Sequence, residues 1–77
     1  MKSAFGERLK HYRVKKGFSQ TEFAKRSGFN RTYIRDIECG QRNLSLINIA
    51  KLAYFLDIET SKLFEGVTYF EDRQTDG

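Results

Sequence analysis

Helix-ending and helix-starting residues follow one another closely along this 77-residue chain and divide it into short segments. Gly17 and Gly28 are each followed two residues later by a residue that often caps a helix, Ser19 and Asn30. Glycine favours the left-handed conformation that ends a helix, and Ser or Asn side chains accept hydrogen bonds from the free amides that begin the next one. The chain has no proline and no clear strand-like alternation before residue 66, so the pattern predicts an all-α fold.

Five helices in one domain are predicted from these signals. They run over about 3–16, from 20 to the turn at 28, over about 31–39, from the cap Ser45 through 56, and from the cap Thr60 to about 64. Ser19 and Glu22 form a capping box at the start of the second helix, in which each side chain binds a free amide of the other residue. We expect one domain over residues 1–66 with a modest core, followed by a tail over 67–77 whose last five residues are disordered.

Composition excludes several classes of protein. No run of about 18 apolar residues is present to span a membrane, and nothing at the N-terminus resembles a secretory signal, so we expect a cytoplasmic protein. The single Cys39 and the single His11 fall short of the ligand set of a structural zinc site. Cys39 could be a redox sensor, but its position at a helix end favours a packing residue. The chain has no nucleophile paired with a nearby histidine and no glycine-rich phosphate loop, so we expect no metal, no cofactor and no enzymatic activity.

Charge is distributed unequally between the two halves of the chain. Residues 1–42 contain eleven Lys or Arg and four Asp or Glu, whereas residues 43–77 contain three and six. A basic half attracts a polyanion, because Lys and Arg side chains that neutralise phosphates release condensed counterions. The charge distribution alone is equally compatible with an ordinary solvated surface.

The second and third predicted helices are joined by so short a turn that they predict a helix-turn-helix over about 20–39. Small Ala24 lets the two helices approach closely, and Gly28 permits the sharp turn. Ile34 and Ile37 hold the third helix on the core, so its opposite face protrudes.

The protruding face is expected to carry side chains suited to contacts with DNA bases. Arg31, Thr32 and Arg35 lie on it, and an arginine can bind both O6 and N7 of guanine. The free amides at the start of the helix add a partial positive charge that favours phosphate. The segment therefore predicts a surface that reads base edges in double-stranded DNA.

Residues of this motif match a known signature, and the matching positions are Gln20, Ala24, Gly28, Ile34 and Ile37. The chain resembles the lambda-repressor-like, or XRE-type, helix-turn-helix family over residues 4–64. Segments 31–34 and 40–45 are further similar to the controller proteins of restriction-modification systems. The resemblance implies the five-helix fold of that family and a sequence-specific regulator of transcription.

The resemblance also implies roles for individual residues. Contacts to DNA bases come from Arg31, Thr32 and Arg35, and contacts to the DNA backbone come from Gln20, Tyr33, Arg42 and Asn43. Tyr33 is also explained as a half-buried packing residue, and Arg42 and Asn43 could instead hold an adjacent base. Arg13 and Glu38 are implied to form an internal salt bridge. Asp36 would repel phosphate, so we expect it to orient an arginine.

One copy of the motif touches only a few base pairs, so we expect a symmetric homodimer on a palindromic operator. Its two recognition helices would enter major grooves about 34 Å apart. The predicted dimer residues are Leu44, Ile47, Asn48, Phe55 and Leu63. Core and interface positions are not separable here from the sequence, and the apolar residues 67–70 could cover the core, extend the dimer contact or pair as a short strand.

A controller protein that regulates its own gene and a linked endonuclease gene is the leading interpretation. A phage-type repressor or an antitoxin-type autorepressor would use the same helix. A protein-interaction module is the alternative outside DNA binding, and it would be expected to expose an apolar third helix. RNA polymerase is a further candidate partner, although the position after Gln20, often acidic in relatives that activate transcription, is Thr21.

Overall fold

The computed structural model describes residues 2–67, which form four α-helices and a closing 3₁₀ helix. The helices are α1 Lys2–Lys15, α2 Gln20–Ser27, α3 Arg31–Glu38 and α4 Leu46–Leu56, and the 3₁₀ helix is Thr60–Phe64. The all-helical prediction is confirmed for these residues. The fifth element is a short 3₁₀ helix, so the count of five α-helices is not confirmed. The tail predicted beyond residue 67 lies outside the described residues.

Three N-caps predicted from the sequence are present. They are the bonds from Glu22 N to Ser19 Oγ at 3.0 Å, from Tyr33 N to Asn30 Oδ1 at 2.8 Å, and from Asn48 N to Ser45 Oγ at 3.1 Å. Each cap satisfies an amide that the helix itself leaves without a partner. Gly28 ends α2 with a φ of 78°, a left-handed backbone conformation that glycine adopts without the steric cost of a Cβ atom.

Two predictions about helix starts are wrong in detail. The Glu22 carboxylate does not complete a capping box, because it accepts a 2.8 Å hydrogen bond from Arg26 Nε one turn along α2. Thr60 does not cap the last helix, because it already lies inside it. Lys62 N donates to the Glu59 carbonyl at 3.0 Å, which makes Glu59 the cap residue.

Every helix contributes to one apolar core. Its buried members are Phe5, Leu9, Phe23, Ala24, Ile34, Ile37, Leu52, Ala53, Leu56 and Leu63. Leu63 was a predicted dimer contact, and this prediction is wrong because its exposure is 0 %. The 3₁₀ helix packs against both α1 and α4, and Leu63 is its buried residue, so it lies in the core between them.

A close backbone contact holds α1 against the end of α3. A Cβ atom added at Gly6 would lie within 3.0 Å of the carbonyl oxygens of Ile37 and Glu38. Only glycine allows this approach, so Gly6 contributes to the position of α3 relative to the rest of the fold.

Glu65, just beyond the 3₁₀ helix, is tied to α1. Its carboxylate accepts hydrogen bonds from Arg8 Nη2 at 2.8 Å and from the Tyr12 hydroxyl at 3.2 Å. Lys62 beside it, with smaller contributions from Tyr12 and Arg8, lowers the pKa of Glu65 below its ordinary value. Within residues 2–67, no helix is both long enough and apolar enough to cross a membrane.

Candidate nucleic-acid interface

One face of α3 is anchored in the core and the opposite face is exposed. Ile34 and Ile37 are 0 % and 2 % exposed. The three predicted base-contacting residues, Arg31, Thr32 and Arg35, are all exposed on the other side of the helix. The structure therefore brings these three side chains together on one accessible surface at and near the start of α3.

A buried ion pair fixes the other end of α3. Arg13 Nε lies 2.6 Å from Glu38 Oε2, and Arg13 Nη2 lies 3.0 Å from Glu38 Oε1, so the pairing is bidentate. Arg13 Nη1 also donates to the Phe18 carbonyl at 2.7 Å. The predicted salt bridge is thus present, and it joins α1, the turn after α1 and the last residue of α3.

Gln20 has an internal partner in this structure. Its Nε2 donates to Glu38 Oε1 at 3.2 Å, and its side chain is half-buried at the start of α2. A carboxamide nitrogen carries two protons, so this bond leaves one N–H for a phosphate oxygen. The predicted backbone contact of Gln20 remains a prediction.

Tyr33 is half-buried and packed from three sides. Its ring lies 4.8 Å from the Phe29 ring, and the Arg42 guanidinium lies 4.9 Å from the Tyr33 ring centroid. Its hydroxyl accepts a 3.0 Å hydrogen bond from Asn48 Nδ2. The packing interpretation of Tyr33 therefore describes its surroundings, while its hydroxyl proton remains able to bind an acceptor. Asn48, a predicted dimer residue, is half-buried and has this internal partner.

Asp36 pairs with two of the arginines predicted to contact DNA. Its Oδ1 lies 3.3 Å from Arg35 Nη2, and its Oδ2 lies 3.5 Å from Arg42 Nε. These two ion pairs are consistent with the expectation that Asp36 orients an arginine, which remains a prediction. The bond to Arg35 uses one of five N–H donors, so the exposed guanidinium keeps donors that can reach a duplex. Asn43, predicted beside Arg42, is exposed in the segment between α3 and α4.

The outward face of α4 is unusually apolar. Leu46 is 77 % exposed, Ile47 is 72 % exposed and Tyr54 is 75 % exposed. With Ala50 they lie on one side of the helix, opposite the buried residues of α4. We call Leu46, Ile47, Ala50 and Tyr54 the α4 stripe.

Sequence reasoning identified only part of this surface. It named Ile47 but missed Leu46 and Tyr54. Apolar residues occur on both sides of α4, so these two can be assigned to the exposed side only when the buried side is known. Of the other predicted dimer residues, Phe55 is 37 % exposed and Leu44 is half-buried against the core. Cys39 is exposed at the end of α3, so its interpretation as a packing residue is wrong.

Comparisons with known proteins agree with this geometry. The helix-turn-helix family model matches residues 9–63. The control protein C.MunI of a Mycoplasma species is 41% identical over 68 residues, which are 87% of this chain and 92% of that protein.

Two solved structures are similar over most of their length. The restriction-modification controller protein C.AhdI from Aeromonas hydrophila has a TM-score of 0.78 and 52% identity, over 80% of this chain and 90% of that one. SinR, a master regulator for biofilm formation solved in complex with DNA, has a TM-score of 0.74 and 33% identity, over 78% and 97%. The chain thus belongs to the helix-turn-helix family of DNA-binding transcription regulators, is of the XRE type, and is similar to restriction-modification controller proteins.

Proposed function

We propose that this chain is the controller protein of a restriction-modification system, which binds a palindromic operator as a homodimer and regulates its own gene and the endonuclease gene. The observation that carries the proposal is the exposed face of α3, where two arginines and a threonine protrude from a helix anchored in the core. Identities of 41% to C.MunI and 52% to C.AhdI support the controller assignment.

The proposed docking mode places the start of α3 in the major groove. Arg31, Thr32 and Arg35 contact base edges there, since such side chains bind purine and pyrimidine acceptors from that groove. The backbone contacts come from Gln20, Tyr33, Arg42 and Asn43, which flank that face on α2, on α3 and in the segment after α3. A protein-interaction module would be expected to expose an apolar α3, and the charged face is evidence against that alternative.

The proposed dimer is formed through the α4 stripe. Three large apolar side chains, each more than 70 % exposed, cost free energy while they face water. A symmetric dimer covers the same surface on both copies, because a two-fold axis brings each patch onto itself. Ile47 and Phe55 remain proposed contacts, as do the half-buried Leu44 and Asn48, and Leu46 and Tyr54 are added.

A contact with RNA polymerase through α2 would find little acidic charge on that helix. The residue after Gln20 is the exposed Thr21, and the one acidic residue of α2, Glu22, is paired with Arg26. An acidic activating surface on α2 is therefore largely neutralised, which favours regulation through occupancy of the operator.

Selection of binding sites from random duplexes tests the proposal. We expect recovery of a two-fold symmetric site whose half-sites are about one helical turn apart. Ile47→Asp places a charge in the α4 stripe and should give a monomer by analytical ultracentrifugation with much weaker binding to that site. Lys62→Ala, which removes a charge from the 3₁₀ helix, serves as the control and should retain both properties. An asymmetric site, or a dimer that survives Ile47→Asp, would contradict the proposed assembly.

A further inference from the structure

Asp36 lies where a carboxylate is least expected on a DNA-binding surface. It follows Arg35 directly on α3, and its side chain is 18 % exposed between Arg35 and Arg42, which are 53 % and 45 % exposed. Phosphates repel a carboxylate, so its presence among proposed DNA contacts weakens binding to any duplex. Because the Asp36 carboxylate weakens binding to DNA in general, a benefit at this position has to come from discrimination between DNA sequences.

Arg42 is held by contacts on two sides. Asp36 Oδ2 lies 3.5 Å from its Nε, and the Tyr33 ring lies 4.9 Å from its guanidinium carbon. Asn48 of α4 in turn donates to the Tyr33 hydroxyl at 3.0 Å, which ties that ring to a second helix. An arginine in a segment without regular structure is thereby kept beside the α3 surface.

We propose that Asp36 is a specificity-determining positioning residue that holds Arg35 and Arg42 in place. To bind the phosphates of non-cognate DNA, both arginines must give up the Asp36 carboxylate, and this loss disfavours non-cognate binding. The inference rests on the proposed function. On a cognate site, base and phosphate acceptors meet both guanidinium groups where Asp36 holds them. On a non-cognate duplex, the arginines reach phosphates only by leaving Asp36, and its carboxylate then stays unpaired close to the phosphates.

The charge of the cluster gives the expected size of the effect. Two guanidinium groups and one carboxylate carry a net charge of about +1, and removal of the carboxylate raises it to about +2, which adds roughly one counterion released on binding to any duplex. Affinity for random DNA should therefore rise and should depend more steeply on salt. Affinity for the cognate site should rise less, because there Asp36 also positions the arginines.

Asp36→Asn is the primary test, with Asp57→Asn as the matched control. The control makes the same chemical change at the end of α4, where the φ of 57° suits Asn as well as Asp. Dissociation constants would be measured for the selected site and for a random duplex of equal length over a range of salt, with thermal melting to verify the fold.

For Asp36→Asn, we expect affinity for the random duplex to rise roughly three- to tenfold at low salt and the salt slope to steepen by about one. The ratio of specific to random affinity should fall severalfold, whereas Asp57→Asn should leave that ratio unchanged. An unchanged ratio in a folded Asp36→Asn protein would overturn the inference.

Two further variants make the result decisive. Asp36→Glu retains the charge and should recover most of the ratio of specific to random affinity. This variant also tests the inference if Asp36→Asn proves unstable. A ratio as low as that of Asp36→Asn would count against a role for the charge. In an Arg35→Gln, Arg42→Gln background the effect of Asp36→Asn should vanish, because both positioned groups are gone.

A wild-type protein without preference for any duplex would overturn the proposed function and this inference together. A clear wild-type preference that Asp36→Asn does not reduce would overturn the inference alone.

Discussion

Two carboxylates of α3, only two positions apart, meet arginines in opposite settings. Glu38 pairs with Arg13 where the two side chains are 4 % and 9 % exposed, whereas Asp36 pairs with Arg35 and Arg42 at the accessible edge of the helix. A buried pair cannot exchange its partner without leaving a charge in the core, whereas at the Asp36 pairs the two arginines are about half exposed and stay solvated when they leave the carboxylate. The same chemistry therefore holds the fold at one site and leaves arginines available to DNA at the other.

The largest expected effect concerns the buried pair. Glu38→Ala should lower the free energy of unfolding by about 3–5 kcal/mol, because it leaves the Arg13 charge buried without its partner. Asp36→Ala serves as the matched change and should cost less than about 1 kcal/mol, because it leaves Arg35 and Arg42 about half exposed to solvent and no charge buried in the core. Urea denaturation measures both, and equal losses would remove the distinction drawn between the two sites.

A second prediction concerns the contact that brings α1 to the Glu38 end of α3. Gly6→Ala should destabilise the fold by about 1–3 kcal/mol, because the added methyl group would meet backbone carbonyls that cannot rotate away. Glu7→Ala, at an exposed position next in the same helix, should change stability little. A neutral or stabilising Gly6→Ala would show that α1 and α3 are less closely packed than described.

The smallest expected effect concerns another exposed carboxylate, Glu65. Because its pKa is lowered in the folded protein, its contribution to stability is present above the ordinary glutamate pKa and is lost as the pH falls through the folded value. Glu65→Gln should therefore slightly lower the melting temperature at neutral pH and make the acid side of its pH profile shallower. Melting curves of the wild type and of Glu65→Gln between about pH 3 and pH 7, a range that includes the ordinary titration of a glutamate, would show this difference. Identical profiles would mean that the interactions of Glu65 with Lys62, Tyr12 and Arg8 contribute nothing to stability.

Local signals explain why much of the fold could be predicted from the sequence. Ser19, Asn30 and Ser45 cap the helices that they precede, because capping depends on residues only three positions apart. Glu22 departed from its predicted role because Arg26, one turn later, offers its carboxylate a stronger, charged partner. The short-range pattern could not rank these two bonds.

Tertiary contacts explain what the sequence left unresolved. Leu46 is the first residue of α4 and is 77 % exposed, whereas Leu63, within the 3₁₀ helix, is 0 % exposed. The exposure of Leu46 depends on which side of α4 meets the core, and the burial of Leu63 depends on how the 3₁₀ helix packs against α1 and α4, neither of which a local pattern reports. The pairing of Asp36 with Arg42 and of Asn48 with Tyr33 likewise depends on how the segment after α3 folds back on the helix.

Base discrimination at single positions tests the central claim most directly, that the exposed face of α3 reads DNA. Affinities of the wild type, Arg31→Ala and Arg35→Ala would be measured against the selected site and against each single base-pair change within it. The account predicts that each variant loses about 1–3 kcal/mol on the selected site and becomes indifferent to the identity of one base pair per half-site. Variants that bind more weakly but discriminate among all base pairs as the wild type does would contradict it.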